Sequence, residues 1–277
     1  MKNLIKIPAP QGLCNCRIKQ YPTPTGEWVS VQKMTSEKKI FNPSGLEKHG
    51  YESTAKYEDD TCVETDNKTS GTDTDRAVKR SRAKVLDIIR CNLDFKYFCT
   101  LTFNGDIIDR SCYSDVVRKF SQWCDNRVRR VGLKYVAVIE RHKCSNGLHF
   151  HVLCTDVLQL SDSGTVKCVG HKKPIRITTA DRYKIPMENR KTVYNISDWI
   201  YGFSTAIEIT GDECLVKVAA YLQKYLTKET EKIGGRYYYS GGNLVRPRYL
   251  YCDDDFYGCD ETYAIKVPGN TIKVLQI

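Results

Sequence analysis

Two apolar runs separated by a short polar connection constrain this chain more than any other feature. Residues 134–140 read KYVAVIE and residues 148–154 read LHFHVLC. Both are rich in β-branched and aromatic residues, and Ser145-Asn146-Gly147 between them carries turn chemistry. They predict an antiparallel hairpin. A third run of the same kind, YFCTLTF at 97–103, precedes them, and FSTAIEI at 203–209 follows.

Helical patterns alternate with these strands. Residues 75–90 lack Gly and Pro, and Val78, Val85, Leu86 and Ile89 recur near helical spacing. Arg76, Lys79, Arg80, Arg82 and Lys84 make this a basic helix. A second helix is expected over 113–130, and a third after Thr210, opened by a Thr210/Glu213 capping box and reaching about Lys228. The expected fold is α+β: an antiparallel sheet with helices on one face.

Outside this core the signals weaken. Residues 1–74 are polar and partly irregular, with Trp28-Val29-Ser30-Val31 as the clearest short strand and a loop or linker over 57–74. The remaining domain is expected to span 75–277, with an insertion at about 156–198.

Composition narrows the function classes. Forty-three Lys and Arg against 33 Asp and Glu leave a net charge of +10, which favours a polyanionic partner over an acidic-protein or anionic-metabolite role. No stretch approaches 18 consecutive apolar residues, so no membrane span is expected. The opening MKNLIKIP is too short an apolar run for a signal peptide, and a cytoplasmic protein of a bacterial host is the expectation. The thirteen cysteines are scattered and odd in number, which suits reduced thiols better than a disulfide framework. Cys14 and Cys16 could supply half a zinc site, though two ordinary thiols near a terminus explain them as well.

Two groups of residues carry chemistry. In a strand, positions i and i+2 share a face, so His149 and His151 converge while Phe150 points away. Glu140 closes the preceding strand and can lie beside them. Two imidazoles and a carboxylate on rigid strands suit a divalent cation with open coordination positions. His142 could replace Glu140 if that strand extends. In the last helix, Tyr221 and Tyr225 are four apart, as are Lys224 and Lys228. All four lie on a stripe beside the apolar face formed by Leu215, Val218, Ala219, Leu222 and Leu226, and Tyr221 lies farther from that face than Tyr225.

Together these groups resemble the HUH endonucleases, specifically the rolling-circle replication initiator (Rep) proteins of bacterial plasmids and single-stranded DNA phages. Phe98–Phe103 is similar to the family's first motif. His149-Phe150-His151 is similar to the HUH itself, with Glu140 in the place of the third ligand. Tyr221-x-x-Lys224-Tyr225-x-x-Lys228 resembles the YxxKYxxK nucleophile motif. Residues 80–92, the stretch from Val193 to Phe203, and Arg236 to Tyr239 are also similar to such replication proteins, so the resemblance covers roughly 76–250.

The resemblance implies an RRM- or ferredoxin-like palm that nicks and rejoins single-stranded DNA site-specifically through a 5′-phosphotyrosine, initiating rolling-circle replication. It implies a Mg²⁺ or Mn²⁺ cofactor at Glu140, His149 and His151, with Tyr221 and Tyr225 as nucleophiles and Lys224 or Lys228 stabilising charge. A phenol is a weak nucleophile at neutral pH, so the phosphate must be made electrophilic. The implied partners are a single-stranded origin, sometimes folded as a hairpin, and a host helicase and polymerase, since the chain contains no G-x-x-x-x-G-K-[ST] motif. The basic helix and a second cluster, Arg236, Tyr237, Arg246 and Arg248, suit backbone contact with base stacking. A relaxase or single-strand transposase shares this chemistry. However, relaxases usually carry three histidines and an N-terminal tyrosine. A non-catalytic DNA-binding protein or repressor on an RRM-like sheet gives no reason for the HxH, both tyrosines and both lysines to coexist.

Overall fold

The computed structural model describes residues 12–23, 25–34, 40–42, 73–142, 146–171, 173–210, 218–222, 224, 236–252, 264–267 and 270–275. Along the chain these form β1 (Gly12–Cys14), β2 (Cys16–Pro22), β3 (Trp28–Met34), β4 (Ile40–Asn42), α1 (Asp73–Cys91), β5 (Phe95–Thr102), α2 (Tyr113–Val131), β6 (Tyr135–Arg141) and β7 (Leu148–Thr155). There follow β8 (Leu160–Cys168), β9 (Ile175–Arg176), α3 (Ile177–Arg182), β10 (Arg190–Ile196), β11 (Ser204–Glu208) and β12 (Tyr239–Gly241). The last strands are β13 (Arg248–Cys252), β14 (Ala264–Val267) and β15 (Asn270–Leu275).

The chain divides into two compact units, Gly71–Val245 and a second built from Met1–Ser70 with Arg246–Ile277. In the second unit the described strands form a five-stranded antiparallel sheet ordered β13-β2-β3-β15-β14, and β1 pairs with β4. The sequence placed 246–277 with the endonuclease core. Backbone pairing groups these strands with the N-terminal ones instead, because β13 bonds to β2 and β15 to β3. Such long-range pairing leaves no local trace in the sequence.

The Gly71–Val245 unit holds an antiparallel sheet that, among the described residues, has eight strands ordered β12-β6-β7-β5-β11-β10-β8-β9. Its centre, β6-β7-β5-β11, is the strand arrangement of a ferredoxin-like fold, with α2 crossing from β5 to β6 over the intervening β7. The expected insertion at 156–198 contains β8 to β10, and it extends the sheet beyond β11. Gly132 ends α2 in the left-handed region (φ 70°) and donates its N–H to the Val128 carbonyl at 3.1 Å.

The α+β class and the antiparallel sheet are as the sequence suggested, but the helices do not share one face. Ala137, Ile139, Phe150, Val152 and Cys154 pack with Val116, Phe120, Trp123 and Cys124 of α2. Their strand neighbours Val136, Val138 and Leu153 point the other way, onto Val85, Ile88 and Ile89 of α1 and onto Ala219 and Leu222 of the helical segment 218–222. The signal for this was present, since KYVAVIE is apolar at successive positions and such a strand is covered on both faces.

Candidate active site

Glu140, His149 and His151 all project from the sheet face that also carries α1 and the 218–222 segment. Register does this: Glu140 lies directly across from His149, and Val138 across from His151. The hairpin between them is closed by Asn146, which sits at φ 54° and donates its N–H to the His142 carbonyl at 2.9 Å. Asn tolerates the left-handed region better than most residues.

The three ligating groups meet closely. Glu140 Oε2 lies 3.1 Å from His149 Nε2 and 2.9 Å from His151 Nε2, and the two Nε2 atoms are 3.2 Å apart. Donors about 2.1 Å from one cation, on adjacent octahedral corners, stand about 3 Å apart, so the spacing fits a shared divalent ion. Among the described residues this is the one cluster of three or more potential ligand groups. His142 is exposed and lies outside that cluster, its ring centroid 6.3 Å from that of His149, so the carboxylate of Glu140 fills the third position. Cys14 and Cys16 are both buried and belong to no such cluster among the described residues.

The neighbouring strand β5 completes the surroundings. Thr100 pairs across from His151 and Thr102 across from His149. Thr100 Oγ1 lies 3.3 Å from His151 Nδ1. A partner at Nδ1 fixes the tautomer that leaves Nε2 to coordinate metal. Phe98 stacks on His151, with centroids 5.8 Å apart and planes 11° from parallel. The sequence marked this strand as a motif without assigning these two side chains. Its period-two alternation put Phe98, Thr100 and Thr102 on one face, and cross-strand register was the missing information.

Tyr221 reaches the same place from the helical segment. Its ring stands edge-on to Phe98 at 5.5 Å and to His151 at 6.3 Å. Leu222 beside it is fully buried, while Tyr221 remains half exposed and Lys224 exposed. Tyr225, Lys228 and Glu213 of the expected capping box lie outside the described residues.

The expected DNA-contacting residues divide. Arg76, Lys79, Arg80, Arg82 and Lys84 are all exposed along α1, opposite its buried Val85, Ile88 and Ile89. Arg236 is exposed, but the tyrosines after it turn inward: Tyr237 and Tyr238 pack against the core, and Tyr239 is buried with its hydroxyl 2.6 Å from that of Tyr113. Arg246 and Arg248 belong to the other unit, so the second basic cluster is not one local patch of sequence.

With this geometry in place, comparison with known proteins is decisive for the family. Residues 96–230 match the family of replication-associated proteins described as ORF2/gene 2 protein. This is a rolling-circle Rep family, and the Glu140–His149–His151 cluster fits its HUH motif. The matched segment runs from β5 through the YxxKYxxK stretch, so the Rep resemblance seen in the sequence is borne out over the residues that carry all three motifs. No curated protein and no solved structure matches the chain. Among the described residues, no helix is long and apolar enough to cross a membrane.

Proposed function

We propose that this Rep-family chain nicks and rejoins single-stranded DNA at a replication origin through a tyrosine–phosphate intermediate. The observation that carries the reading is the placement of Tyr221 against His151, beside a three-ligand cluster on a rigid sheet.

Glu140, His149 and His151 would hold a divalent cation, Mg²⁺ or Mn²⁺, and such an ion polarises a non-bridging phosphate oxygen and neutralises its charge. The Tyr221 hydroxyl attacks phosphorus, and the bond from phosphorus to the 3′ oxygen breaks. The phenolic proton is lost, the departing oxygen gains one, and the 5′ phosphate stays on the tyrosine. The free 3′-OH is a primer for a host polymerase, and strand separation would fall to a host helicase. Lys224, one helical turn from Tyr221, supplies positive charge to the phenolate or the phosphate. Tyr225 serves as the second nucleophile that closes the circle at termination, with Lys228 beside it. The exposed basic side chains of α1, with Arg236 and the Arg246 and Arg248 pair, contact the backbone, and Tyr237 lies next to that path. Phosphate contacts of this kind give affinity without reading sequence.

Incubation with circular single-stranded DNA of the same replicon and Mn²⁺ tests the reading. A protein–DNA adduct resistant to denaturation, mapped to Tyr221, is the expected result. Persistent absence of any adduct would favour a DNA-binding module without nuclease chemistry.

A further inference from the structure

Beside His149, on a side lined by neither His151 nor Tyr221, a cleft of about 680 Å³ opens between the start of the β5–α2 connection and the loop before β11. Its volume is within the range of small-ligand pockets. Three apolar side chains on its rim face solvent: Ile107 is 58% exposed, Ile200 71% and Phe203 84%.

These side chains are not exposed through looseness of the loop. Trp199 Nε1 donates to the Thr102 carbonyl at 3.0 Å, Asn104 N–H to the Tyr201 carbonyl at 2.8 Å, and Thr102 N–H to the Phe203 carbonyl at 2.8 Å. Gly202 lets the two backbones touch, since a Cβ there would stand 2.4 Å from the Thr102 carbonyl oxygen. A loop tied this closely holds Ile200 and Phe203 in water at a cost that packing within the chain does not offset.

Charge points to the occupant. No carboxylate lines the cleft, whereas Arg110 does, exposed and with no acidic partner among the described residues. Aromatic faces beside cationic side chains bind unpaired bases and their phosphates.

We propose that this cleft takes an unpaired nucleobase of the DNA strand, stacked on Phe203, with the adjoining phosphate paired to Arg110. His149 belongs to both the cleft and the ligand cluster, so this base neighbours the phosphate that is cut. The inference rests on the reading that this sheet face handles single-stranded DNA, and it adds a contact that distinguishes bases from bare backbone.

The test uses the full chain without added metal, so that it is independent of nicking. A short 5-iododeoxyuridine oligonucleotide is photocrosslinked to the wild-type protein and the adduct mapped; attachment at Phe203 or Ile200 is expected. Affinity is then measured for a thymidine oligonucleotide and for an abasic strand of equal length. Phe203→Ala should weaken thymidine binding by about 5- to 100-fold and leave abasic binding nearly unchanged, while Phe203→Trp restores it. Arg110→Gln should lower the salt slope by about 0.7. Crosslinks confined to other regions, or equal wild-type affinity for the two strands, overturn the proposal. Neither result bears on a Tyr221 adduct, so nickase and base pocket fail separately.

Discussion

Tyr221 stands edge-on to His151, with ring centroids 6.3 Å apart and 74° between the planes. The same ring meets Phe98 edge-on at 5.5 Å, and Phe98 in turn stacks on His151. Three aromatic rings thus fix the position of one phenol beside the ligand cluster. Replacing Tyr221 by Phe keeps those contacts and removes only the hydroxyl. The Tyr221→Phe protein should therefore fold and melt as wild type does, yet form no covalent adduct on a short origin oligonucleotide. Tyr225→Phe should still form it, but fail to release closed monomer circles from a replicating template. An adduct mapped only to Tyr225 would reverse the assignment.

The contact from Thr100 Oγ1 to His151 Nδ1 predicts a graded effect on metal binding. Thr100→Val preserves shape and β propensity but removes the hydroxyl that orients the imidazole. Mn²⁺ affinity, measured by titration calorimetry, should fall by about 10- to 100-fold. His151→Ala should abolish it while single-stranded DNA affinity stays close to wild type, because phosphate contacts elsewhere carry binding. Unchanged Mn²⁺ binding in His151→Ala would remove the cluster from the mechanism.

How much of this was legible beforehand depends on the range of the interaction. His149 and His151 share a strand face by period two, and Glu140 ends the partner strand, so the cluster followed from local pattern and one short hairpin. Tyr221 required a helix from a segment some seventy residues later to land on that face. Spacing could not supply this, and only the motif order suggested it. Phe98 and Thr100 depended on which strand lies beside β7, and Phe203 on a loop contact made by backbone atoms. The pairing of β13 with β2 and of β15 with β3 is longer in range still.

Five basic side chains exposed on α1, backed by the buried Val85, Ile88 and Ile89, predict how the protein grips a strand. Affinity for single-stranded DNA should fall steeply with salt, by about 0.7 in log–log slope per phosphate neutralised. Arg80→Ala with Arg82→Ala should flatten the slope by about 1 to 1.4 if both touch phosphates. Fluorescence anisotropy across a salt series reads this directly. An identical slope would place the DNA path away from α1.

The last prediction concerns alkaline pH. Cys99 is held as a neutral thiol well above the ordinary range by its hydrogen bond with Cys154, whose sulfur is 3.7 Å away, and by burial. Burial alone does most of the same for Cys124. The Tyr135 and Tyr239 phenols are pushed up by burial too, with the Tyr113 hydroxyl adding to the effect on Tyr239. In each case the folded chain keeps a proton that the unfolded chain releases first. The unfolded values are about 8.5 for a thiol and about 10 for a phenol. Stability from these four groups is therefore fully present below about pH 8.5. Above it, as the unfolded chain titrates, stability falls by roughly 1 kcal/mol per pH unit for each group until the folded group also ionises. Melting curves between pH 7 and pH 11 should show a plateau and then a steepening decline. Tyr239→Phe should make that decline shallower above pH 10 while costing stability at pH 7 through the lost hydroxyl pair. A decline of equal steepness in that variant would show that Tyr239 does not ionise differently in the two states.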